Sequence, residues 1–391
     1  MKKPFNFAFR LIQFFFWSSS CAITSYVSVF LLPKGYDNTA IGSIISLGLL
    51  ISILFGPIIA TIADNSKNST LMTVMAEVFI ILMVLLFPTL FIKEKNILLS
   101  ILFCLSIAIS YATIANVNAL CFILEETGEK IRYGFGRAMG SLGYAVTSAV
   151  LGIAILRLGN NIIIISSIVV LFIMTVILLI TDNNYRKVLR KANKTIKEKT
   201  VTTKEFFKNN KTLIVTLFFL ATIFFFSNAL NNSYMFQVVS SIGGTSEDMG
   251  LIFSIMALME IPAMFIFDKL IEKIPLKSLM VFSAVTFLIK NAFFFSKNIA
   301  FFYIAQIFQA TSFAIMMPAI VVYINSKTTK PEAVRGQAIF NTFNAVVGIL
   351  ASFIGGLILD NLGVRQLLYI GYAISLLGVI LSIYRLKKKS V

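Results

Sequence analysis

Apolar runs long enough to cross a lipid bilayer recur along the whole sequence. A helix rises about 1.5 Å per residue, so about 20 residues cross a hydrocarbon core of about 30 Å. Twelve segments fit this length, and we name them spans 1 to 12 in chain order: 6–32, 39–63, 69–92, 97–124, 134–157, 161–181, 212–239, 248–268, 276–295, 298–326, 336–358 and 366–385. Because a helix satisfies its own backbone groups within lipid, the sequence predicts an all-α membrane protein with twelve transmembrane helices.

The composition agrees with a membrane protein. Hydrophobic residues make up 58% of the chain and charged residues 13%, whereas soluble domains carry about 25% charged residues. A net charge of +17 also occurs in nucleic-acid-binding proteins, but the repeated apolar runs argue against that class. We therefore expect the lipid bilayer, and no nucleic acid, as a partner. The chain has no His, and its three Cys lie inside apolar runs without metal-ligand spacing, so no metal or cofactor is expected.

One long polar segment divides the chain. Residues 182–211 carry ten basic residues against three acidic ones, and about 180 mostly apolar residues lie on either side. We interpret residues 182–211 as a basic cytoplasmic linker. It would join an N-terminal six-helix bundle, residues 1–181, to a C-terminal six-helix bundle, residues 212–391.

The distribution of Lys and Arg predicts the orientation. With twelve spans both termini lie on one side, and 26 of the 34 basic residues fall on that side. Basic residues collect on the cytoplasmic side of membrane proteins, so we expect both termini and the linker in the cytoplasm, in a multi-pass protein of the cell membrane. Six basic residues fall on the opposite side: Lys34, Lys93, Lys95, Arg157, Lys297 and Arg365.

The two halves share a weak repeat. Gly-x-x-x-Ser opens both span 2 and span 8, a Pro lies inside each span, and an Asp ends each one. The corresponding residues are Gly42, Ser46, Pro57 and Asp64 in the first half, and Gly250, Ser254, Pro262 and Asp268 in the second. Internal repeats about a central loop are typical of transporters, although common residues can also coincide by chance.

Four charged residues lie inside the spans: Glu77, Arg137, Glu260 and Lys290. A charge at the centre of a membrane helix costs at least about 2.5–3.5 kcal/mol, so such residues usually face a cavity or a partner. Glu260 and Lys290 lie at similar depth on consecutive spans, and they form either a binding pair or a structural salt bridge. Arg137 is one turn inside span 5, where its side chain can also reach the interface. Glu77 fits a cavity position or a packing contact.

Amide side chains cluster in the same spans. Four pairs lie on spans 4, 7, 10 and 11: Asn116 and Asn118, Asn228 and Asn231, Gln306 and Gln309, Asn341 and Asn344. In the last three pairs the residues are three apart and share a helix face. Hydrogen bonds between helices explain such residues, but so does a polar cavity for a hydroxylated or amide-bearing solute. Trp17, Tyr26 and Tyr144 are candidates for stacking against that solute.

Several motifs resemble one family. They are Tyr133-Gly134-x-x-Arg137-x-x-Gly140-Ser141-x-Gly143-Tyr144-Ala145 in span 5, Glu260-Ile261-Pro262 with Lys273-x-x-x-Lys277 after it, Lys290 in span 9, and Gln306-x-x-Gln309-x-x-Ser312-Phe313 in span 10. Together they resemble the lactose-permease-like branch of the major facilitator superfamily, the oligosaccharide:proton symporters. The resemblance covers essentially the whole chain. It implies the major facilitator fold of two pseudo-symmetric six-helix bundles.

The resemblance also implies functions for individual residues. Arg137 would face the central cavity and bind sugar hydroxyls, and Glu260 would bind substrate and couple protons. The chain departs from the family pattern at several positions: a His, and a Glu one turn later, are replaced by Gln309 and Ser312, and two aspartates by Asn228 and Asn231. The span-4 Glu aligns near Asn118 or Ala119. These changes put lactose-type selectivity and proton coupling in doubt.

The sequence therefore predicts a monomeric secondary active transporter, and no enzyme. We expect it to carry a small polar solute, best a sugar or oligosaccharide, with a proton gradient as the candidate driving force. Two alternatives remain open: an efflux carrier for drugs or metabolites, whose cavity the 38 Phe and 14 Met would line, and a non-transporting membrane sensor. The residues expected to bind substrate are Arg137, Asn118, Trp17, Asn228, Asn231, Gln309 and Lys290. Glu260 is expected to couple protons, and Asp64 and Asp268 to act in the conformational switch.

Overall fold

The computed structural model describes residues 4–66, 69–189 and 210–387, and every regular element in them is helical. The predicted all-α class is therefore confirmed. Most of the predicted linker, residues 190–209, lies outside the described residues. The principal helices are Pro4–Ser20, Val27–Leu31, Asn38–Asn65, Leu71–Leu86, Ile97–Glu125, Tyr133–Leu158, Ile162–Leu189, Lys211–Leu220, Phe226–Ser233, Met235–Ser240, Ser246–Lys273, Leu276–Phe293, Ile299–Ile307, Phe313–Lys327, Lys330–Asn361 and Val364–Lys387.

Ten of the described helical segments are long and apolar enough to cross a membrane by themselves. Span 1 adds an eleventh, because its two halves, Pro4–Ser25 and Val27–Lys34, bend by 50° at the break between them. Span 7 is more interrupted. Its first helix ends at Leu220, a π-helical turn follows at Ala221–Phe225, and two shorter helices complete it to Ser240. All twelve predicted spans are thus helical. Besides the breaks in spans 1 and 7, span 10 is interrupted between Ile307 and Phe313 by a 3-10 turn at Phe308–Ala310.

The breaks in spans 1 and 7 share two features. Each contains a π-helical turn, Cys21–Ser25 or Ala221–Phe225, and a fully buried tyrosine; Tyr26 follows its turn directly, whereas the helix Phe226–Ser233 precedes Tyr234. The hydroxyl of Tyr26 donates to the backbone oxygen of Ser148 at 2.7 Å in span 5. The hydroxyl of Tyr234 donates in the same way to Ser352 in span 11. Two halves that repeat such a contact agree with the internal repeat predicted from the sequence.

The described residues form two compact units. Unit 1 contains residues 4–189 and the beginning of span 8, Gly244–Leu258, and unit 2 contains residues 210–243 and 259–387. The first part of span 8 joins unit 1 through close backbone contact with span 5. Ser148 donates to the backbone oxygen of Gly250 at 3.0 Å, and Ser246 donates to that of Gly152 at 3.1 Å. A Cβ on Gly250 would lie 2.5 Å from the Ser148 oxygen, so this crossing requires glycine.

Span 6 extends further than predicted, because its helix continues from 181 to Leu189. The extension is polar but well anchored. The buried Asp182 accepts hydrogen bonds from the hydroxyls of Thr70 and Thr73, and Arg186 donates to the same carboxylate at 2.8 Å. This (i, i+4) ion pair and the two threonines satisfy the charges, so the helix continues beyond the apolar run.

Candidate functional site

Glycines allow spans 1 and 5 to approach closely in unit 1. A Cβ on Gly136 would lie 2.4 Å from the ring of Phe9, and a Cβ on Gly140 would lie 2.4 Å from Cδ1 of Trp17. Both separations are far below van der Waals contact, so only glycine fits at these positions. The spacing of four residues places both glycines on one helix face. The aromatic side chains of span 1 therefore lie directly on the backbone of span 5.

Trp17 and Arg137 form a stacked pair at this crossing. The guanidinium carbon of Arg137 lies 4.2 Å from the ring centroid of Trp17, which is the geometry of a cation–π interaction. One guanidinium nitrogen of Arg137 also donates to the hydroxyl of Ser141, one turn along span 5, at 3.2 Å. Both Trp17 and Arg137 remain partly exposed. The sequence left open whether Arg137 reaches the interface or faces inward; the structure places its guanidinium on Trp17.

A buried glutamine connects this pair to span 4. The indole nitrogen of Trp17 donates to the side-chain oxygen of Gln13 at 3.1 Å, and the side-chain nitrogen of Gln13 donates to the side-chain oxygen of Asn118 at 3.1 Å. Gln13 is fully buried. The structure thus brings together three predicted residues, Trp17, Asn118 and Arg137. Sequence reasoning missed Gln13, although an amide one turn before the single Trp of an apolar run was a usable signal.

Unit 2 contains a chain of charged and amide groups on spans 8, 9 and 10. The ammonium group of Lys290 donates to Oε1 of Gln309 at 2.6 Å, and Nε2 of Gln309 donates to Oε1 of Glu260 at 3.0 Å. All three side chains are buried. A carboxamide accepts through oxygen and donates through nitrogen, so Gln309 is oriented correctly for a cation on one side and an anion on the other. Glu260 and Lys290, which the sequence predicted as a pair, are therefore linked through Gln309.

Asn291 is the centre of a second polar network in unit 2. Its side-chain oxygen accepts from Asn231 at 2.9 Å, and its side-chain nitrogen donates to Ser227 at 2.9 Å and to Ser375 at 2.7 Å. These four buried residues join spans 7, 9 and 12. Asn231 was predicted, whereas Asn291, adjacent to Lys290 in sequence, was missed. Its position beside an intramembrane charge was the signal available in the sequence.

The remaining predicted residues lie elsewhere. Asn228 is partly exposed on span 7, one turn before Asn231. Asp64 and Asp268 are both exposed near the ends of their helices, Asn38–Asn65 and Ser246–Lys273. Glu77 is also exposed. Among the described residues, no group of three or more His, Cys, Asp or Glu is arranged to hold a metal ion.

Gln306 differs from Gln309 although it lies one turn away on span 10. It is fully buried, and within the described part of the chain neither its side-chain nitrogen nor its side-chain oxygen has a hydrogen-bond partner. An unpaired buried amide is costly. Of the two amides predicted to share a helix face, therefore, Gln309 joins the polar chain and Gln306 does not.

Solved structures with the same fold are transporters. A variant of the nucleoside transporter NupG superposes with a TM-score of 0.80 at 14% identity, covering 99% of this chain and 100% of that chain. NupG itself gives 0.76 at 15% identity, covering 98% and 100%. A bacterial homologue of the human lysosomal transporter Spinster, in an inward-facing and unoccupied conformation, gives 0.64 at 12% identity, covering 99% and 96%. At these identities the likeness establishes the fold, the two six-helix bundles of the major facilitator type.

Sequence comparison gives the family. Among curated proteins, no sequence matches this chain. The profile described as the MFS_1 like family matches residues 7–370, which is nearly the whole chain. The protein therefore belongs to the MFS_1 like family, as its resemblance to the major facilitator superfamily implied, and it is a multi-pass membrane transporter of small solutes.

Proposed function

We propose that this protein carries a ring-shaped solute that bears hydroxyl groups, namely a sugar or a nucleoside. The observation that carries the proposal is the pair formed by Trp17 and Arg137, in which a guanidinium group lies over one face of a partly exposed indole. Guanidinium has five N–H donors, and the contact with Ser141 accounts for one. Donors of this kind bind vicinal hydroxyls, and the indole stacks on a sugar ring or a nucleobase.

Asn118 and Gln13 support the same solute class. Gln13 accepts a hydrogen bond from the indole nitrogen of Trp17 and donates one to Asn118, so the two amides together hold the indole in place. The resemblance to lactose permease implied a Glu near Asn118 or Ala119, and this chain has the neutral amide Asn118 there. Amide side chains both donate and accept hydrogen bonds, so they suit a neutral solute that bears hydroxyl groups. A nucleoside meets this requirement as well as a sugar does, and NupG is described as a nucleoside transporter.

In unit 2 we assign solute binding to Gln309, Lys290, Asn231 and Asn228, and proton coupling to Glu260. Glu260 is the buried carboxylate of the polar chain, and a hydrogen-bonded Gln309 lies between it and Lys290. A solute hydroxyl that competes for the carboxamide of Gln309 would change the surroundings of Glu260 directly. Asp64 and Asp268, exposed at corresponding ends of spans 2 and 8, keep the conformational-switch role proposed from the sequence.

The test of solute class is counterflow in proteoliposomes. Purified protein is loaded with unlabelled sugars or nucleosides in turn, and entry of the labelled compound is measured. We expect exchange with at least one hydroxyl-bearing ring solute. Arg137→Lys should then reduce exchange at least about tenfold, because Lys lacks the planar fork. Arg157→Lys, the same change at the exposed far end of span 5, serves as the matched control and should have no effect.

Three outcomes contradict the proposal. Full exchange in Arg137→Lys would remove Arg137 from the site. Exchange of amphipathic cations, with none of sugars or nucleosides, would favour the efflux carrier considered from the sequence. A protein that carries no solute in the assay, although correctly folded, would agree with a membrane sensor.

We further propose that the protein is a monomer in the cell membrane with both termini in the cytoplasm. The 26-to-6 distribution of basic residues supports this orientation. In a background without native cysteines, a cysteine at Asp37 should react with an impermeant thiol reagent in intact cells, because that side chain is 56% exposed. A cysteine at Lys197, which lies outside the described residues, should not. Labelling of the cysteine at position 197 from outside the cell would show that the orientation is the opposite of the one proposed.

A further inference from the structure

A cavity of about 350 Å³ opens at one end of unit 1, away from the residues assigned to transport. Three loops form it: the loops that join spans 1 and 2, spans 3 and 4, and spans 5 and 6. Its polar lining consists of Lys34, Lys93, Asn160 and Asn161. The spans end at the membrane surface, so the cavity lies at the depth of the lipid headgroups.

Hydrogen bonds between the loops hold this cavity open. The backbone nitrogen of Lys95 donates to the oxygen of Lys34 at 2.8 Å, and the ammonium group of Lys34 donates to the backbone oxygen of Ile92. The side chain of Asn161 donates to the backbone oxygen of Leu90 at 3.5 Å. All three loops are thus connected to one another. A cavity formed in this way is preorganised and does not need a ligand to order it.

The charge around the cavity favours an anion. Lys34 and Lys93 line it, and the helix of span 6 begins at Ile162, directly after Asn160 and Asn161. The N-terminus of a helix carries partial positive charge. Of the acidic residues in these loops, Asp37 forms an ion pair with Lys95 at 3.5 Å, and Glu94 is exposed and does not line the cavity. Lys34 donates to the backbone oxygen of Ile92, but both lining lysines keep their positive charge.

The positive-inside rule makes these lysines unusual. Of the six basic residues assigned to the side opposite the termini, Lys34, Lys93, Lys95 and Arg157 all belong to unit 1 and lie in or next to these loops. Insertion disfavours basic residues on that side. Two of them, Lys34 and Lys93, line one cavity, which favours a ligand that repays the cost.

The apolar part of the lining identifies the type of anion. The ring of Phe30 lies beneath the ammonium group of Lys34, at 4.6 Å from its centroid. Leu158 lines the cavity and is 69% exposed, and Phe91, beside the lining residue Leu90, is also 69% exposed. Exposed apolar side chains at the end of a span contact lipid. The opening of the cavity is therefore continuous with the lipid-facing surface.

We propose that this cavity binds the phosphodiester headgroup of an anionic phospholipid. The two lysines and the start of span 6 contact the phosphate oxygens, Asn160 contacts a headgroup hydroxyl, and Leu158, which is exposed, contacts the glycerol and the first acyl carbons. Basic pockets between membrane helices bind lipid headgroups by this chemistry. Under the proposed orientation, the lipid lies in the outer leaflet. This inference is independent of the solute carried.

In the experiment, a phospholipid is titrated into the full-length protein in a neutral detergent. The thermal unfolding midpoint of the protein is measured at each lipid concentration. Phosphatidylglycerol should raise the midpoint in a saturable way, whereas phosphatidylcholine and inorganic phosphate should have little effect. Lys93→Gln, at an exposed side chain, should weaken phosphatidylglycerol binding about fivefold. Lys34→Gln should weaken it further. Lys297→Gln, an outer lysine of unit 2, is the matched control and should bind as the wild type does.

Three results would overturn the proposal. The first is equal phosphatidylglycerol affinity in wild type and Lys93→Gln. The second is equal stabilisation by phosphatidylcholine, which would show that the charge of the headgroup is not recognised. The third is full stabilisation by inorganic phosphate alone, lost in Lys93→Gln, which would assign the cavity to a free anion. Because Lys34 also supports the loops, a failure of Lys34→Gln to fold leaves the decision to Lys93→Gln.

Discussion

Replacing the two buried glutamines of span 10 by leucine should have opposite effects on stability. Gln309 makes two hydrogen bonds, each to a charged group, Lys290 or Glu260. Such bonds contribute about 1.5–3 kcal/mol each, so Gln309→Leu should lower the free energy of unfolding by about 3–6 kcal/mol. Among the described residues Gln306 has no partner for either polar atom. Gln306→Leu should therefore raise that free energy by about 1–3 kcal/mol, the cost of an unpaired buried amide.

The comparison is closely matched. Both residues are buried to within 1% of full burial, they lie one turn apart, and the substitution is the same. The cysteines supply the assay, because Cys21 and Cys121 are buried and free and react with a fluorogenic thiol dye only on unfolding. The midpoint of Gln309→Leu should fall by several degrees and that of Gln306→Leu should rise. Equal losses in both variants would refute the reasoning, because they would show that Gln306 is satisfied as well as Gln309 is.

Two further predictions concern transport. Gly140→Ala should impair solute exchange, since its Cβ would displace Trp17. The control Gly134→Ala should exchange solute normally, because a Cβ at that position meets nothing within 4 Å. Equal activity in both variants would contradict the close packing of Trp17 on span 5. Glu260→Gln should lose accumulation driven by a pH gradient and keep counterflow, because Gln still hydrogen-bonds hydroxyls but cannot release a proton. If the wild type carries a solute in proteoliposomes but never accumulates it under an imposed pH gradient, Glu260 does not couple protons.

Properties that depend on consecutive residues were predictable from the sequence. The length and apolar character of each span gave the all-α membrane class and the positions of the helices, because a membrane helix satisfies its backbone alone. The boundaries were less accurate where polar residues continue a helix. At the end of span 6, Asp182 is held by Thr70 and Thr73, residues more than a hundred positions earlier, so the helix does not end with the apolar run.

Properties that depend on how helices are rotated and how closely they pack were not predictable in the same way. The sequence identified Trp17, Asn118 and Arg137 as separate polar or aromatic residues. It did not show that Gln13, 105 residues before Asn118, connects them. The contact between Trp17 and Arg137 exists because the glycines of span 5 let span 1 approach until Trp17 lies on the backbone.

The polar chain of unit 2, formed by Glu260, Gln309 and Lys290, was also predictable only in part. Charge and depth along the sequence indicated that Glu260 and Lys290 lie near each other, since a buried charge needs a partner. The sequence could not distinguish Gln309, which joins them, from Gln306, which lies one turn away and meets neither within the described residues. Both are amides on an apolar helix, and their local sequence is equivalent. The rotation of span 10 about its axis, fixed by packing against spans 8 and 9, decides which amide reaches the charges.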